Sequence, residues 1–107
     1  MAAYDEEVCR SARQVATTET STGPATLLGT DTQTTPESAA FANGVMVRFL
    51  DWNDTIMSVG SGHPSDLIPA VLAVTQSRHG SGRDFILGVT LGYELFNVIA
   101  DQVNIRE

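Results

Sequence analysis

The sequence has no lysine and a single cysteine, Cys9. Its six arginines stand against 13 acidic residues, which gives a formal net charge of −7 and a pI near 4.5. No basic patch is present to meet a phosphate backbone, and this argues against a nucleic-acid binder. The same excess charge repels a multiply anionic ligand unless cations come from elsewhere. One cysteine excludes an intramolecular disulfide framework and fits a reducing compartment. Nor can one thiol hold an iron–sulfur cluster, which takes several. Cys9 precedes Arg10 in a polar segment without Gly-rich or His-rich surroundings, so it reads as an incidental thiol rather than a nucleophile. Met1 to Arg13 is acidic and lacks the apolar core of a secretory signal. The longest apolar stretch, Phe85 to Ala100, contains Glu94 and Asn97 and falls short of the ~20 apolar residues a membrane span needs. The expectation is a soluble protein of the cytoplasm or mitochondrial matrix.

What the chain does contain is helix-forming. A hydrophobic fraction of 42% in 107 residues is ordinary for a globular protein of one domain or less. Val8, Ala12, Val15 and Ala16 recur near the helical period, predicting a weak helix over 4–16. A Thr-rich loop from Thr17 to Thr35 follows, with an extended inset at Ala25-Thr26-Leu27-Leu28 whose apolar character suggests it is pinned. Thr35-Pro36-Glu37 is a helix start, with Thr as N-cap, Pro in the first turn and an acid behind it, and predicts a helix over 36–52. Gly44, Arg48 and Asp51 form its narrow polar stripe. Gly60-Ser61-Gly62-His63-Pro64 then breaks the chain, and Ser65 or Asp66 can cap a helix over 67–78 that tolerates Pro69 in its first turn. His79-Gly80 ends that helix. Ser81-Gly82-Arg83-Asp84 has capping-box spacing and opens a last helix reaching about Val103. On it Thr90, Glu94, Asn97 and Asp101 share one polar stripe, and Gly88 and Gly92 allow a second helix close approach.

The fold class is therefore all-α, with three main helices and a weak N-terminal one. The three main helices are apolar around most of their circumference, whereas a lone bundle shows wider polar faces. Such helices ask for more protein around them or for a tight oligomer. The plainer alternative is a three- or four-helix bundle with a greasy surface.

Chemistry-bearing side chains concentrate between Asp51 and Asp66. Asp51, Asp54, Thr55, His63 and Asp66 bring three carboxylates, a hydroxyl and an imidazole into sixteen residues. Gly62 and Pro64 restrict the backbone on either side of His63. Histidine is the side chain whose ordinary pKa lies nearest neutrality, so it is the natural proton carrier, and a nearby carboxylate can orient it. Each residue also has a plain structural use. Asp51 can pair with Arg48 at i, i+3, Asp54 and Thr55 can end the helix, Asp66 can be an N-cap, and His63 can bond to a backbone carbonyl. A zinc site is disfavoured, because no second His or Cys accompanies His63 at ligand spacing.

Four ordered blocks shift that balance: Ala39-Ala40-Phe41-Ala42-Asn43-Gly44, Leu50-Asp51-Trp52-Asn53-Asp54-Thr55, Gly62-His63-Pro64-Ser65-Asp66 and Leu91-Gly92-Tyr93-Glu94. Together they resemble successive signatures of the MmgE/PrpD family, which includes 2-methylcitrate dehydratases, cis-aconitate decarboxylases and related tricarboxylate enzymes. The resemblance covers roughly residues 25–103, and the first 24 only loosely. It implies that residues 1–107 are part of the family's large helical domain, in an enzyme that works as a homodimer without metal or cofactor. It further implies that Asp51, Thr55 and His63 occupy active-site positions, with His63 and Asp51 catalytic and Thr55, Asp54 and Asp66 at the substrate. The family's second histidine, its substrate-binding lysines and its tyrosine are expected beyond residue 107.

The long loop from Thr55 to His63 resembles the dehydratase branch, whereas Leu67 stands where those enzymes often carry Asn. The expected reaction is loss of water from a citrate-like tricarboxylate by acid–base catalysis. A cis-aconitate-type decarboxylase is the second reading, and a truncated, non-catalytic helical interaction module is the third.

Overall fold

The Thr35 hydroxyl accepts a hydrogen bond from Ser38 N at 3.3 Å, and Pro36 takes the first helical position, as the sequence predicts. The structure is a computed structural model that describes residues 2–18 and 23–103. Among these lie four helices: α1 (Glu7–Thr18), α2 (Pro36–Arg48), α3 (Ile68–Ser77) and α4 (Gly82–Ala100). A 3-10 turn (Pro64–Leu67) leads into α3. Two strands, β1 (Ala25–Thr26) and β2 (Gln33–Thr34), form a two-residue antiparallel ladder with Ala25 opposite Thr34. The chain is thus mostly helical, with one small hairpin inside the segment read as loop. Residues 19–22 of that segment lie outside the described residues.

Several boundaries differ from the sequence reading. The first helix starts at Glu7 rather than residue 4, and residues 2–5 are in turn conformation. α2 stops at Arg48, four residues early, because the chain turns at Phe49-Leu50 and Asp51 adopts φ 53°. That left-handed conformation ends a helix, and Asp tolerates it better than most residues. Asp51 therefore leaves the helical stripe of Gly44 and Arg48. Neither Ser65 nor Asp66 caps α3. Its N-cap is Leu67 without a side-chain bond, since the Ser65 and Asp66 side chains are engaged across the loop. The Ser81–Asp84 capping box forms with both of its reciprocal bonds, and the helix it opens ends at Ala100 rather than Val103.

The core is built from small residues. Ala12 and Ala16 of α1, Ala39 and Ala42 of α2, Ala73 of α3, and Ala25 and Leu27 of the hairpin are buried together. Alanine at each contact lets helix backbones approach closely, and packing rather than bulk holds them. The extended inset is pinned, as its composition suggests. Buried Asn43 accepts from Leu28 N at 2.9 Å and donates to the Thr26 carbonyl at 3.0 Å. The Gln76 side chain grips Thr26 N and Thr26 Oγ1 from α3. Cys9 is fully buried beside Ala3 and Met46.

α3 and α4 meet through glycine. A Cβ on Gly88 would stand 2.8 Å from Val71 Cγ1, and one on Gly92 would stand 2.7 Å from Leu67 Cδ2. The outer face of α4 has no such neighbour: Leu87, Leu91, Leu95 and Val98, spaced by 4, 4 and 3, are all more than half exposed. Among the described residues no helix is long and apolar enough to cross a membrane.

Candidate active site

The end of α2, the loop that follows it and the 3-10 turn before α3 bring all five candidate residues together. The loop closes on itself through Ile56 and Gly62, whose backbones exchange hydrogen bonds of 2.9 and 3.2 Å. α4 supports it from below. Gly60 N donates to the Ala100 carbonyl at 2.6 Å, and the Ser58 hydroxyl donates to the Asp101 carboxylate. Gly62 has no side chain because Phe96 fills the space a Cβ would take, 2.6 Å from Phe96 Cζ. These ties present His63 at a fixed place on the surface.

His63 is oriented from both sides. Its Nδ1 lies 2.7 Å from the Asp54 carbonyl, with Thr55 Oγ1 at 3.5 Å. A carbonyl only accepts, so Nδ1 carries the proton and Nε2 is the free basic nitrogen of the neutral ring. Nε2 in turn stands 4.0 Å from Asp51 Oδ1. The Asp51 carboxylate also accepts from the Arg48 guanidinium, whose Nε lies 3.6 Å from Asp66 Oδ2. Hydrogen bonding to Arg48, and secondly its charge, holds the Asp51 carboxyl below the usual carboxylate range, and Arg48 is raised by the same contact.

Asp54 and Asp66 stitch the two arms of the loop. Asp54 Oδ1 accepts from Ser65 N at 3.1 Å, and Tyr93 of α4 lines the same cavity as Asp54 and Ser65. Partial desolvation pushes the Asp54 carboxyl up, yet the polar groups of Ser65 and Tyr93 beside it outweigh that and leave the group lowered. Burial, then the adjacent Asp54 carboxylate, raises the Tyr93 phenol. Asn53 Nδ2 donates to Ser65 Oγ at 2.9 Å and to Asp66 Oδ1 at 3.3 Å. Behind this seam lies a cavity of about 440 Å³, walled by Met46, Val47, Leu50, Trp52, Asn53 and Tyr93 among others.

The plain structural uses of Asp51 and His63 are both met. Asp51 pairs with Arg48 while facing His63, and His63 bonds a backbone carbonyl through one nitrogen while offering the other. Arg48 enters as the site's cation, and Tyr93 of α4 stands beside Asp54 at the cavity. The sequence signal for Tyr93 was its place in Leu91-Gly92-Tyr93-Glu94, while its contact with Asp54, 39 positions away, has no local signature. Among the described residues no group of three or more His, Cys, Asp or Glu side chains is placed to hold a metal ion. Chemically the cluster can carry a proton at Nε2 and stabilise the resulting imidazolium with Asp51.

The family model for the MmgE/PrpD N-terminal domain matches residues 1–107. The 2-methylcitrate dehydratase of Escherichia coli (strain K12) is 49% identical over 45 residues, 42% of this chain and 9% of that protein. The probable 2-methylcitrate dehydratase of Saccharomyces cerevisiae is 36% identical over 69 residues, 57% of this chain and 13% of that protein. An alkylcitrate dehydratase, phiI, from a fungal species is 42% identical over 48 residues, 45% of this chain and 10% of that protein. The matched segments span about a tenth of each relative's length. No solved structure matches.

Proposed function

The chain belongs to the MmgE/PrpD family, and on that premise we propose that it contributes the acid–base loop of a hydro-lyase of the 2-methylcitrate dehydratase type. The observation that carries this reading is the orientation of His63: Nδ1 is committed to the Asp54 carbonyl, and Nε2 is left facing Asp51. The reaction breaks a C–H bond next to a carboxylate and the C–O bond of a tertiary alcohol, forms a C=C bond and releases water. His63 Nε2 moves one of the two protons, Asp51 orients it and stabilises its charged form, and Thr55 hydrogen-bonds the substrate. Asp54 and Asp66 build the substrate edge from within, since both carboxylates are already engaged.

Three carboxylates and one guanidinium leave this cluster net negative, so cations for a tricarboxylate come from outside it, in the remainder of the enzyme or a second subunit of a homodimer. The proton transfers need no metal or cofactor. The names of the relatives favour dehydration of a citrate or alkylcitrate. Decarboxylation of a cis-aconitate-like acid in the same pocket is the alternative chemistry, and a non-catalytic helical module is the alternative class.

The test is turnover of 2-methylcitrate by the complete enzyme with a chelator present. The wild type is expected to remain active, and His63→Ala to lose about 10²–10⁴-fold in rate. Full activity of His63→Ala would sink the site assignment, and metal-dependent recovery from chelation would sink the metal-free mechanism.

A further inference from the structure

Asp51 and His63 face each other with no proton between them. Nδ1 of the neutral ring carries its proton toward the Asp54 carbonyl at 2.7 Å, so Nε2 presents a lone pair. The atom it meets at 4.0 Å is Asp51 Oδ1, a carboxylate oxygen with nothing to donate. Two acceptors do not hold each other in place. What holds the carboxylate is Arg48, whose Nη1 donates to that same Oδ1 and whose Nε lies 3.6 Å from Asp66 Oδ2. Asp66 is held in turn by Asn53 Nδ2 at 3.3 Å. The guanidinium thus reaches from the end of α2 to the 3-10 turn, using two nitrogens of one rigid fork on two carboxylates. The Arg48 and Asp51 side chains are 41% and 68% exposed, so their ion pair contributes little to stability. Its consequence is geometric.

We infer that Arg48 is a positioning residue for His63, holding Asp51 at a stand-off from Nε2 so that this nitrogen stays open to take and release a proton. The inference rests on the reading of His63 as the proton carrier, but the relation between the side chains can be measured without turnover. The charged groups around the ring are Arg48 of α2, Asp51 and Asp54 of the loop and Asp66 of the 3-10 turn, with Tyr93 of α4 beside Asp54. Without Arg48, Asp54 keeps its bond from Ser65 N and Asp66 its bond from Asn53. The Asp51 carboxylate alone then has no partner among the described residues except the imidazole. Once Nε2 takes a proton, the freed carboxylate closes on it, and the imidazolium is bonded at both nitrogens. A proton held in that way is given up less readily.

The experiment is carbethoxylation of the complete enzyme by diethyl pyrocarbonate, which attacks the unprotonated imidazole nitrogen. The His63 peptide is quantified by mass spectrometry, with the His79 peptide as internal reference. At about pH 7 the rate at His63 should fall about fivefold in Arg48→Gln and recover by about pH 9, as a more tightly held proton requires. In the Asp51→Asn background the same change should move the rate by less than about twofold, because no carboxylate remains to close on the ring. A rate that falls equally in both backgrounds, rises or stays unchanged would overturn the inference, since a merely structural Arg48 alters stability and not this difference. Turnover of 2-methylcitrate by Arg48→Gln should follow the modification rate, falling at neutral pH and recovering at high pH. A modification profile that shifts while turnover does not would instead overturn the reading of His63 as the proton carrier and leave the positioning relation standing.

Discussion

Gly92 on α4 lies against Leu67 so closely that a Cβ would meet Cδ2 at 2.7 Å, Cδ1 at 2.8 Å and Cγ at 3.3 Å. Leu67 immediately follows the Pro64-Ser65-Asp66 segment, so this contact seats the site against α4. Replacing a helical glycine with alanine gains roughly 1 kcal/mol of helix propensity, and overpacking costs about 1–3 kcal/mol. Gly92→Ala is therefore expected to destabilise the chain by up to about 2 kcal/mol in denaturant unfolding. Gly44, on α2 with nothing within 4 Å of its Cβ position, is the matched control. Gly44→Ala should stabilise by about 0.5–1 kcal/mol. The opposite order of the two variants would contradict the close approach of α3 and α4.

The shifted titrations of Asp54 and Tyr93 make stability depend on pH at both ends of the scale. Asp54 titrates below its ordinary 3.8 in the folded chain, so its contribution is present above that value and lost as pH falls through the lowered one. Tyr93 titrates above its ordinary 10.0, so its contribution is present below pH 10 and lost as pH rises through the raised value. The melting-temperature difference between wild type and Tyr93→Phe should be flat from about pH 5 to pH 9 and narrow at both extremes. A difference constant across the whole range would show that the titration of the Tyr93 hydroxyl contributes nothing to stability.

Asp51 combines a left-handed backbone with a charged partner, Arg48, and a facing imidazole, His63. Asp51→Asn keeps a residue that tolerates φ 53° and removes the charge that faces His63 Nε2. Turnover of the complete enzyme should fall about tenfold or more, with little loss of stability. Asp51→Ala should lower the melting temperature further, because an alanine has no local bond to offset the strained conformation. Unchanged turnover in Asp51→Asn with reduced stability would reduce Asp51 to a partner of Arg48.

The outer stripe of α4 exposes Leu91 at 54% and Leu95 at 63%. An apolar stripe of this kind on an isolated chain promotes association. The 107-residue chain is expected to self-associate or to bind a hydrophobic dye, and Leu91→Glu with Leu95→Glu should reverse both. Sedimentation as a monomer without dye binding would show that the stripe is too dispersed to matter.

Much of this protein was fixed by local sequence. Thr35-Pro36 and Ser81…Asp84 set two helix starts, because a cap needs only groups within four residues of one another. His79-Gly80 set a helix end in the same way, with His79 at φ 53°. The clustering of the five candidate residues was legible too, since they fall in one short span of the chain. The uncharacteristically apolar helices foretold exposed leucines, because helical periodicity alone says which faces carry charge.

Tertiary structure decided what those residues do. Ser65 and Asp66 have the chemistry of N-caps, but Asn53 and Arg48 draw their side chains across the loop, and the chain enters α3 through an uncapped 3-10 turn. The end of α2 depended on Asp51 turning back toward Arg48, a choice between helix and turn too close for propensity to settle. The free nitrogen of His63 followed from a carbonyl nine residues away in sequence. Local sequence fixes caps and periodicity because their partners are neighbours along the chain. It does not fix which nitrogen of an imidazole is free, because that depends on atoms only folding brings within reach.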